Sequence, residues 1–251
     1  MAMEKIACKC ATTVIGVSYG VRNTLISDGI CNPEKAIVVH YGSASGIDTN
    51  HFSKESTDID TTTYQELGIN NDDFTFVFVG RIVKDKGINE LVRAFSQLVE
   101  THTNVHLILV GPTNAPTNRI STETESLIRN TSNIHAVGVQ KDIRPYLLNA
   151  NALVLPSYRE GFGMVLIEAG AMSLPAIASN IIGCNEIIVP GENGDLVEAK
   201  NIDSLFNMMK RYIEYPEYVK NLSQSARKMI VVRYSQPQVW SALLEVYRNL
   251  L

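Results

Sequence analysis

Short apolar runs alternate with helical patterns along most of the chain. Runs such as HLILVG and ALVLPS are apolar at almost every position, as expected for strands that helices cover on both faces. This alternation predicts an α/β fold with a doubly wound parallel sheet. The predicted strands lie near residues 74–79, 105–110, 133–137, 152–155, 175–178 and 196–197.

The segment after the first of these strands shows the helical pattern most clearly. Its apolar residues recur at intervals of three and four, which places them on one face of a helix that covers the sheet. They are Ile88, Leu91, Val92, Phe95, Leu98 and Val99.

The part of the chain before residue 74 has a different pattern. We predict a strand at 12–18, a helix at 19–28 and a second strand at 36–40, which together form a β-α-β unit. The first twenty residues faintly imitate a signal peptide, but their apolar stretch is too short and interrupted, and a strand explains them better. A segment rich in Ser, Thr and Asp follows, with a short helix that ends at Gly68. We therefore expect an N-terminal unit at 1–52, a linker at 53–73 and the main domain at 74–251.

Composition narrows the classes of partner. With 45% hydrophobic and 19% charged residues the chain can bury a full core, so disorder is not expected. The formal net charge of −4 gives no general attraction for nucleic acid or anionic lipid, so a phosphate ligand must be held by local geometry and a few cations. No run approaches the roughly twenty apolar residues of a membrane span.

The cysteines and histidines give no sign of a metal site. Cys8, Cys10, Cys31 and Cys184 lack a recurring metal-ligand spacing, and we interpret them as free thiols in a reducing cytoplasm. The five histidines show no metal spacing either. We therefore expect no bound metal.

The stretch at 155–168, LPSYREGFGMVLIE, concentrates the candidate chemistry. Gly161 to Gly163 predict a tight turn, and the helix that follows begins with free backbone N–H groups, which favour anions and phosphate above all. Glu168 lies about a turn and a half into this helix and leans back toward the turn, while Glu160 lies on its other flank. We expect these carboxylates to meet hydroxyls of a ribose or a sugar. The alternative is an ordinary acid near a helix start and an exposed helical glutamate.

Further candidates lie where predicted strands end. Gly80 and Arg81 follow the first strand of the main domain and Gly138 follows the third, and ligands of such sheets bind at the carboxyl ends of strands. Arg81 and Lys86 together could neutralise a diphosphate. The alternative is that both are solvated surface cations around Asp85.

Three motifs in this order resemble those of one enzyme family. The run EGFGMVLIEAGAMSLPAIAS resembles the donor-site signature of retaining glycosyltransferases with the GT-B architecture, the "group 1" family, in which two glutamates separated by seven residues flank the donor. The run FVFVGRIVKDKG is similar to that family's strand ending in Gly-Arg with Lys-Gly at the next helix start. The family's G-G-x-x-E turn is matched by Gly183-Cys184-Asn185-Glu186, with cysteine at the second glycine, a form similar to the branch that builds bacterial surface polysaccharides. The resemblance covers roughly residue 14 to the C-terminus.

This resemblance implies roles for the candidate residues. Glu160 is expected to position the donor sugar as the catalytic residue, Glu168 to bind the ribose, and the backbone of Val137, Gly138 and Val139 to contact the base. No metal or cofactor is implied; the co-substrate is a nucleotide sugar, expected to be a UDP-sugar, and the acceptor is a glycan or a lipid-linked molecule of polysaccharide biosynthesis. The residues expected to hold the donor diphosphate are Gly80, Arg81, Lys86, Gly161, Phe162 and Gly163.

The resemblance also bears on what the chain contains. It implies that residues 1–52 are the last β-α-β part of an acceptor-side first domain, with the crossing at Gly46-Ile47-Asp48 and Phe52. We therefore expect a chain that starts inside a domain, is incomplete for catalysis alone, and works with a missing N-terminal half or by self-association. The expected location is cytoplasmic, with a peripheral position at the inner membrane left open. Two alternatives stay open: a nucleotide-sugar epimerase or phosphorylase of the same architecture, and a non-catalytic donor-binding module.

The tail carries one more apolar face. It either packs on the main domain or, as the resemblance implies, crosses back to the first domain and leaves part of itself exposed. Its residues are Trp240, Leu243, Leu244, Tyr247, Leu250 and Leu251.

Overall fold

A computed structural model describes residues 2–56, 60, 62–113 and 117–250 of the chain. Its strands are β1 (Val14–Gly16), β2 (Ala36–Val38), β3 (Phe74–Val79), β4 (Val105–Val110), β5 (Ile134–Gly138), β6 (Ala152–Leu155), β7 (Ala176–Ser179) and β8 (Gly194–Val197). Its helices are α1 (Ala2–Cys10), α2 (Tyr19–Ser27), α3 (Thr63–Glu66), α4 (Ile88–Val99), α5 (Thr122–Asn130), α6 (Arg144–Leu148), α7 (Met164–Ala171), α8 (Ile202–Glu214), α9 (Pro216–Tyr234) and α10 (Gln236–Arg248). A 3-10 turn, Lys84–Lys86, precedes α4.

The main sheet has six parallel strands in the order β5-β4-β3-β6-β7-β8. The chain therefore winds outward from β3 in one direction, returns to β6 beside it, and winds outward in the other direction. This confirms the predicted doubly wound α/β fold. The reversal between β3 and β6 opens a crevice at their carboxyl ends, which is where ligands bind in open sheets of this kind.

Helix α4 confirms the predicted apolar stripe. Ile88, Leu91, Val92, Phe95 and Leu98 are each 0% exposed, so the face predicted from their spacing is the face that packs against the sheet. At about 25 cal/mol per Å² of apolar surface, burying side chains of this size stabilises the fold by roughly 1.5–3 kcal/mol each.

The N-terminal unit contains the predicted β-α-β order, with β1 and β2 paired in parallel and α2 between them. The strand expected at the very start is much shorter than predicted. Strand β1 covers only Val14–Gly16, and residues Ala2–Cys10 form α1 instead, because Ala, Met, Glu and Lys are good helix formers. No residue of α1 is buried, so local propensity decides its structure.

Helices at the end of the chain hold the N-terminal unit. The backbone N–H of Ile47 donates to Tyr234 O at 2.8 Å, and that of Gln236 donates to Ile47 O at 3.0 Å. The indole N–H of Trp240 donates to Ser45 O at 3.0 Å. Of the two alternatives for the tail, α10 thus contacts the N-terminal unit. Part of its predicted face stays exposed, at Trp240, Leu244, Tyr247 and Leu250, while Leu251 lies outside the described residues.

The segment between the units is partly attached to the main domain. Its short predicted helix is α3, and the chain leaves it through Gly68, which has φ +71°. Tyr64 on α3 is buried, and its hydroxyl donates to Tyr146 O at 2.9 Å. Residues 57–59 and 61 of this segment lie outside the described residues, and the boundaries 1–52, 53–73 and 74–251 stay a prediction.

Two further expectations concern the whole chain. All four cysteines are free thiols. Across the part of the chain that the structure describes, no helix is long and apolar enough to cross a membrane.

Candidate functional site

An ion pair lies at the crevice between β3 and β6. Lys86 Nζ is 2.6 Å from Glu160 Oε1, and the Ser157 hydroxyl donates to the same oxygen at 2.8 Å. The side chains of Lys86 and Glu160 are 19% and 13% exposed, so water screens the pair only in part. The sequence predicted separate ligands for these two residues; the structure brings them into contact with each other.

Charged residues line a cavity of about 430 Å³ around this pair. Arg159 Nη2 lies 3.3 Å from Asp85 Oδ2; the arginine side chain is exposed and that of Asp85 is largely buried. Arg81 is exposed to solvent at the rim. Arg81 and Lys86 therefore line one cavity, where their positive charges together can neutralise an anion. The lining residues are Arg81, Asp85, Lys86, Arg159, Glu160 and Gly161. Among the described residues, Gly80, Glu168 and the segment 137–139 are not part of this lining.

The glycine turn before α7, Gly161–Gly163, contacts Gly183 and Tyr234. Gly163 donates its N–H to Gly183 O at 2.9 Å, so this group is not among the free donors that the sequence predicted at the helix start. Gly183 has φ +80°, and a Cβ there would lie 2.9 Å from the carbonyl carbon of Gly161, which only glycine avoids. Phe162 packs its ring edge-on against Tyr234, with centroids 5.6 Å apart. The turn is thus packed against Gly183 and Tyr234.

Glu168 lies in α7 on a partly buried part of its surface. Burial raises the pKa of its carboxyl above the ordinary value because the charged form is poorly solvated. A carboxylate in such a place gains from hydroxyl donors that replace its lost water, which suits the predicted contact with a ribose.

The predicted base-binding segment follows the end of β5. Gly138, with φ +71°, accepts from Gly111 N–H at 2.8 Å, and Val137 O accepts from the side-chain amide of Gln140 at 2.7 Å. Val139 is 72% exposed. Two of the three carbonyls therefore already accept a hydrogen bond, and the contact of this segment with a base stays a prediction.

The turn that carries Cys184 differs from the predicted match. Cys184 is 0% exposed, and burial raises the pKa of its thiol to about 12. Counted back from Glu186, the five-residue motif G-G-x-x-E places Ile182 and Gly183 at its glycine positions. The departure from the motif is therefore at Ile182, whereas Gly183 has the left-handed backbone that favours glycine.

A second cavity, of about 630 Å³, lies between α2 and the turn at 180–185, on the other side of Glu160. Sequence reasoning missed this cavity and the contact beside it, in which the Glu186 carboxylate accepts the N–H groups of Tyr19 at 2.6 Å and Gly20 at 2.9 Å. The only signal was the place of Glu186 in the third motif, which gave it no role. The cavity is lined by Val21, Thr24, Leu25, Tyr158, Arg159, Glu160, Asn180, Ile181, Ile182 and Asn185.

Two histidines are paired at the opposite edge of the sheet. His106 Nδ1 and His135 Nε2 are 3.0 Å apart, and His106 Nε2 is 3.4 Å from Asp73 Oδ2. Burial lowers the pKa of both imidazoles. Over the described ranges, no group of three or more His, Cys, Asp or Glu side chains is arranged to hold a metal ion.

Solved structures share this fold. HepE from Anabaena in complex with UDP and glucose superposes with a TM-score of 0.87 at 23% identity, over 99% of this chain and 66% of that one. Sucrose-phosphate synthase from Thermosynechococcus elongatus gives a TM-score of 0.82 at 26% identity, over 99% of this chain and 61% of that one. These matches confirm the expected GT-B type of Rossmann-like domain.

Sequence comparison gives the family. The capsular polysaccharide biosynthesis glycosyltransferase CapM of Staphylococcus aureus is 30% identical over 249 residues, which are 99% of this chain and 64% of that protein. The alpha-maltose-1-phosphate synthase of Mycolicibacterium smegmatis is 26% identical over 98% of this chain and 65% of its own length. The chain thus spans somewhat less than two thirds of these relatives. The family model for glycosyl transferases group 1 matches residues 60–229, well over half of the sequence, and the chain belongs to that family.

Proposed function

We propose that this chain binds a nucleotide sugar, a UDP-sugar, in the crevice between β3 and β6, as the donor-binding part of a retaining glycosyltransferase. The sugar passes to a glycan or lipid-linked acceptor in polysaccharide biosynthesis. The observation that carries the proposal is the cavity in which Arg81 and the Lys86–Glu160 pair meet beside the turn at Gly161. The UDP and glucose in the HepE structure and the name of CapM support the choice of donor and process.

The charges of the cavity suit the departure of a diphosphate. As the bond to the sugar breaks, negative charge grows on the diphosphate, and fixed cations in a partly dry site stabilise it without reorganising water. Lys86 provides such a cation within its partly buried pair, and Arg81 adds a second cation at the solvent-exposed rim. Lys86 and Ser157 both hold Oε1 of Glu160, which orients this carboxylate at the edge of the cavity, where it positions the sugar.

Donor binding is tested by thermal unfolding with a panel of UDP, GDP, ADP and their sugars. A ligand present at a hundred times its Kd stabilises the folded state by about 2.7 kcal/mol, which gives a clear rise in Tm. We expect UDP and a UDP-sugar to raise Tm more than the other nucleotides. A panel in which no nucleotide changes Tm would overturn the proposal.

Turnover is tested by the release of UDP with and without candidate acceptors, after an acceptor-side N-terminal half has been added, because we expect the chain to be incomplete for catalysis alone. A glycosyltransferase releases UDP faster when its acceptor is present. An epimerase converts the UDP-sugar without releasing UDP, and a phosphorylase requires inorganic phosphate. Acceptor-dependent release with an anomeric configuration that matches the donor supports the proposed reaction.

Replacement of Glu168 by glutamine is expected to separate binding from stability. The change removes a charged acceptor from the ribose, so UDP affinity should fall by about 1.5–3 kcal/mol, as calorimetry would measure. Because burial raises the pKa of Glu168 in the folded state above its ordinary value, the ionised carboxylate opposes folding, and this cost grows as pH rises from the unfolded pKa through the folded one. Glu168→Gln should therefore be more stable than wild type at about pH 8, with the difference vanishing toward about pH 4.

The exposed Glu245 on α10 supplies the matched control, since Glu245→Gln makes the same charge change. It should leave UDP affinity unchanged. Unchanged UDP affinity in Glu168→Gln would contradict the ribose contact.

A further inference from the structure

The turn at 181–186 contacts the Gly161–Gly163 turn, which lies beside the candidate diphosphate site. Gly183 O accepts the N–H of Gly163 at 2.9 Å, and the backbone of Gly161 packs where a Cβ of Gly183 would be. A displacement of Gly183 would therefore move the glycine turn that precedes α7. The position of that glycine turn depends on what holds the turn at 181–186.

The other end of the same turn is attached to the N-terminal unit. Both carboxylate oxygens of Glu186 accept backbone N–H groups in the first turn of α2, from Tyr19 at 2.6 Å and Gly20 at 2.9 Å. These hydrogen bonds are charge-assisted and lie at the positive end of the helix, where an anion is favoured. Tyr234 adds a hydroxyl that donates to Glu186 O at 3.2 Å.

Close packing at Gly20 limits how α2 and the turn at 181–186 can move relative to each other. A Cβ on Gly20 would lie 2.5 Å from Ile182 Cγ2 and 3.0 Å from Glu186 Oε1. The backbone of α2 at Gly20 therefore packs directly on side chains of the turn, and an added methyl group would have to displace Ile182. The Glu186 carboxylate and the lack of a side chain at Gly20 therefore both set the distance between α2 and the turn.

We propose that Glu186 is a positioning residue for donor binding. By fixing the turn at 181–186 to α2, it fixes Gly183 and through it the Gly161–Gly163 turn, beside which the diphosphate binds. Glu186 itself contacts α2 and not the ligand. This inference rests on the proposed function, because it assumes that the phosphates lie at that turn.

The test compares Glu186→Gln with wild type for UDP and uridine. The amide keeps the size of the side chain but removes the charge and one acceptor, so one N–H of α2 loses its partner. We expect UDP affinity to fall about fivefold to tenfold, in the range of typical coupling between sites, while the weaker affinity for uridine stays the same. Calorimetry measures both. Glu192→Gln, at an exposed position, is the matched control and should change neither affinity.

Gly20→Ala tests the same coupling from the side of α2. Its methyl group should push Ile182 away and reproduce the selective loss for UDP, although the carboxylate of Glu186 is intact. A loss of equal size for UDP and uridine in both variants, or no loss for UDP in either, would overturn the role of Glu186.

Amide hydrogen exchange, measured without ligand, tests the positioning role of Glu186 independently of whether the chain binds a nucleotide sugar. In Glu186→Gln the amides of Tyr19, Gly20 and Gly163 should exchange faster than in wild type, without any ligand. Unchanged exchange at Gly163 overturns the positioning role. If wild type binds no nucleotide but exchange at Gly163 does accelerate, the donor proposal fails while the mechanical link from Glu186 to the glycine turn holds.

Discussion

UDP affinity is expected to fall at least about a hundredfold in the double variant Arg81→Ala/Lys86→Ala. Hydrogen bonds to charged groups contribute about 1.5–3 kcal/mol each, and each 1.4 kcal/mol is a factor of ten. The loss of Lys86 has a second effect, because it leaves the partly buried carboxylate of Glu160 without its cation, 2.6 Å from where Nζ was. That uncompensated charge would then repel the diphosphate.

The affinity for uridine distinguishes the loss of phosphate contacts from damage to the fold. The nucleoside has no phosphate, so its affinity should change by less than about twofold, and the salt dependence of UDP binding should largely disappear with the two cations. Lys84→Ala is the matched control, since Lys84 lies on the same 3-10 turn and is exposed. Equal losses for UDP and uridine would show that Arg81 and Lys86 support the structure rather than the diphosphate.

Gly87→Ala is expected to destabilise the fold by about 3–5 kcal/mol, which is an exceptional cost for one methyl group. Gly87 has φ +72°, a conformation that costs other residues about 1–2 kcal/mol. A Cβ there would also lie 2.0 Å from Pro156 O and 2.7 Å from Pro156 C. The segments that carry Lys86 and Glu160 would have to separate, so nucleotide binding should fall together with stability.

Gly191→Ala is a closely matched control for this change. Gly191 has φ +80°, but nothing lies within 4 Å of the added Cβ, so only the backbone cost of about 1–2 kcal/mol applies. Urea unfolding measures both free energies. The difference between the two variants isolates the close approach of the two loops, and similar values for both would contradict the steric argument.

The fold followed from the sequence because its signals are local. The strands at 74–79, 105–110 and 152–155 match β3, β4 and β6 at both ends, since each is an apolar run between polar segments. The stripe of α4 needs only a window of twelve residues. At the start of the chain the same local reasoning failed, because the apolar residues of α1 are exposed and their pattern says nothing about a core.

The candidate site was predictable as a set of residues but not as an arrangement. Motifs placed Arg81, Lys86 and Glu160 at one edge of the sheet, yet the contact between Lys86 and Glu160 joins residues that are 74 positions apart. The contact of Glu186 with α2 spans more than 160 positions. No local pattern encodes which carboxylate meets which donor across such distances, because that depends on how the units pack.

The hydrogen bond from Trp240 to Ser45 joins residues separated by 195 positions. A ribosome that adds about 5–20 residues per second needs roughly 10–40 s to synthesise the chain between them. During that interval residues 1–52 lack the helix that completes their contacts, and the pairing of β1 with β2 is not yet supported by α10. While the chain is incompletely folded in this way, chaperones can bind it and proteases can cleave it. Slower synthesis of residues 200–240 should therefore lower the yield of folded chain more than slower synthesis of residues 1–40.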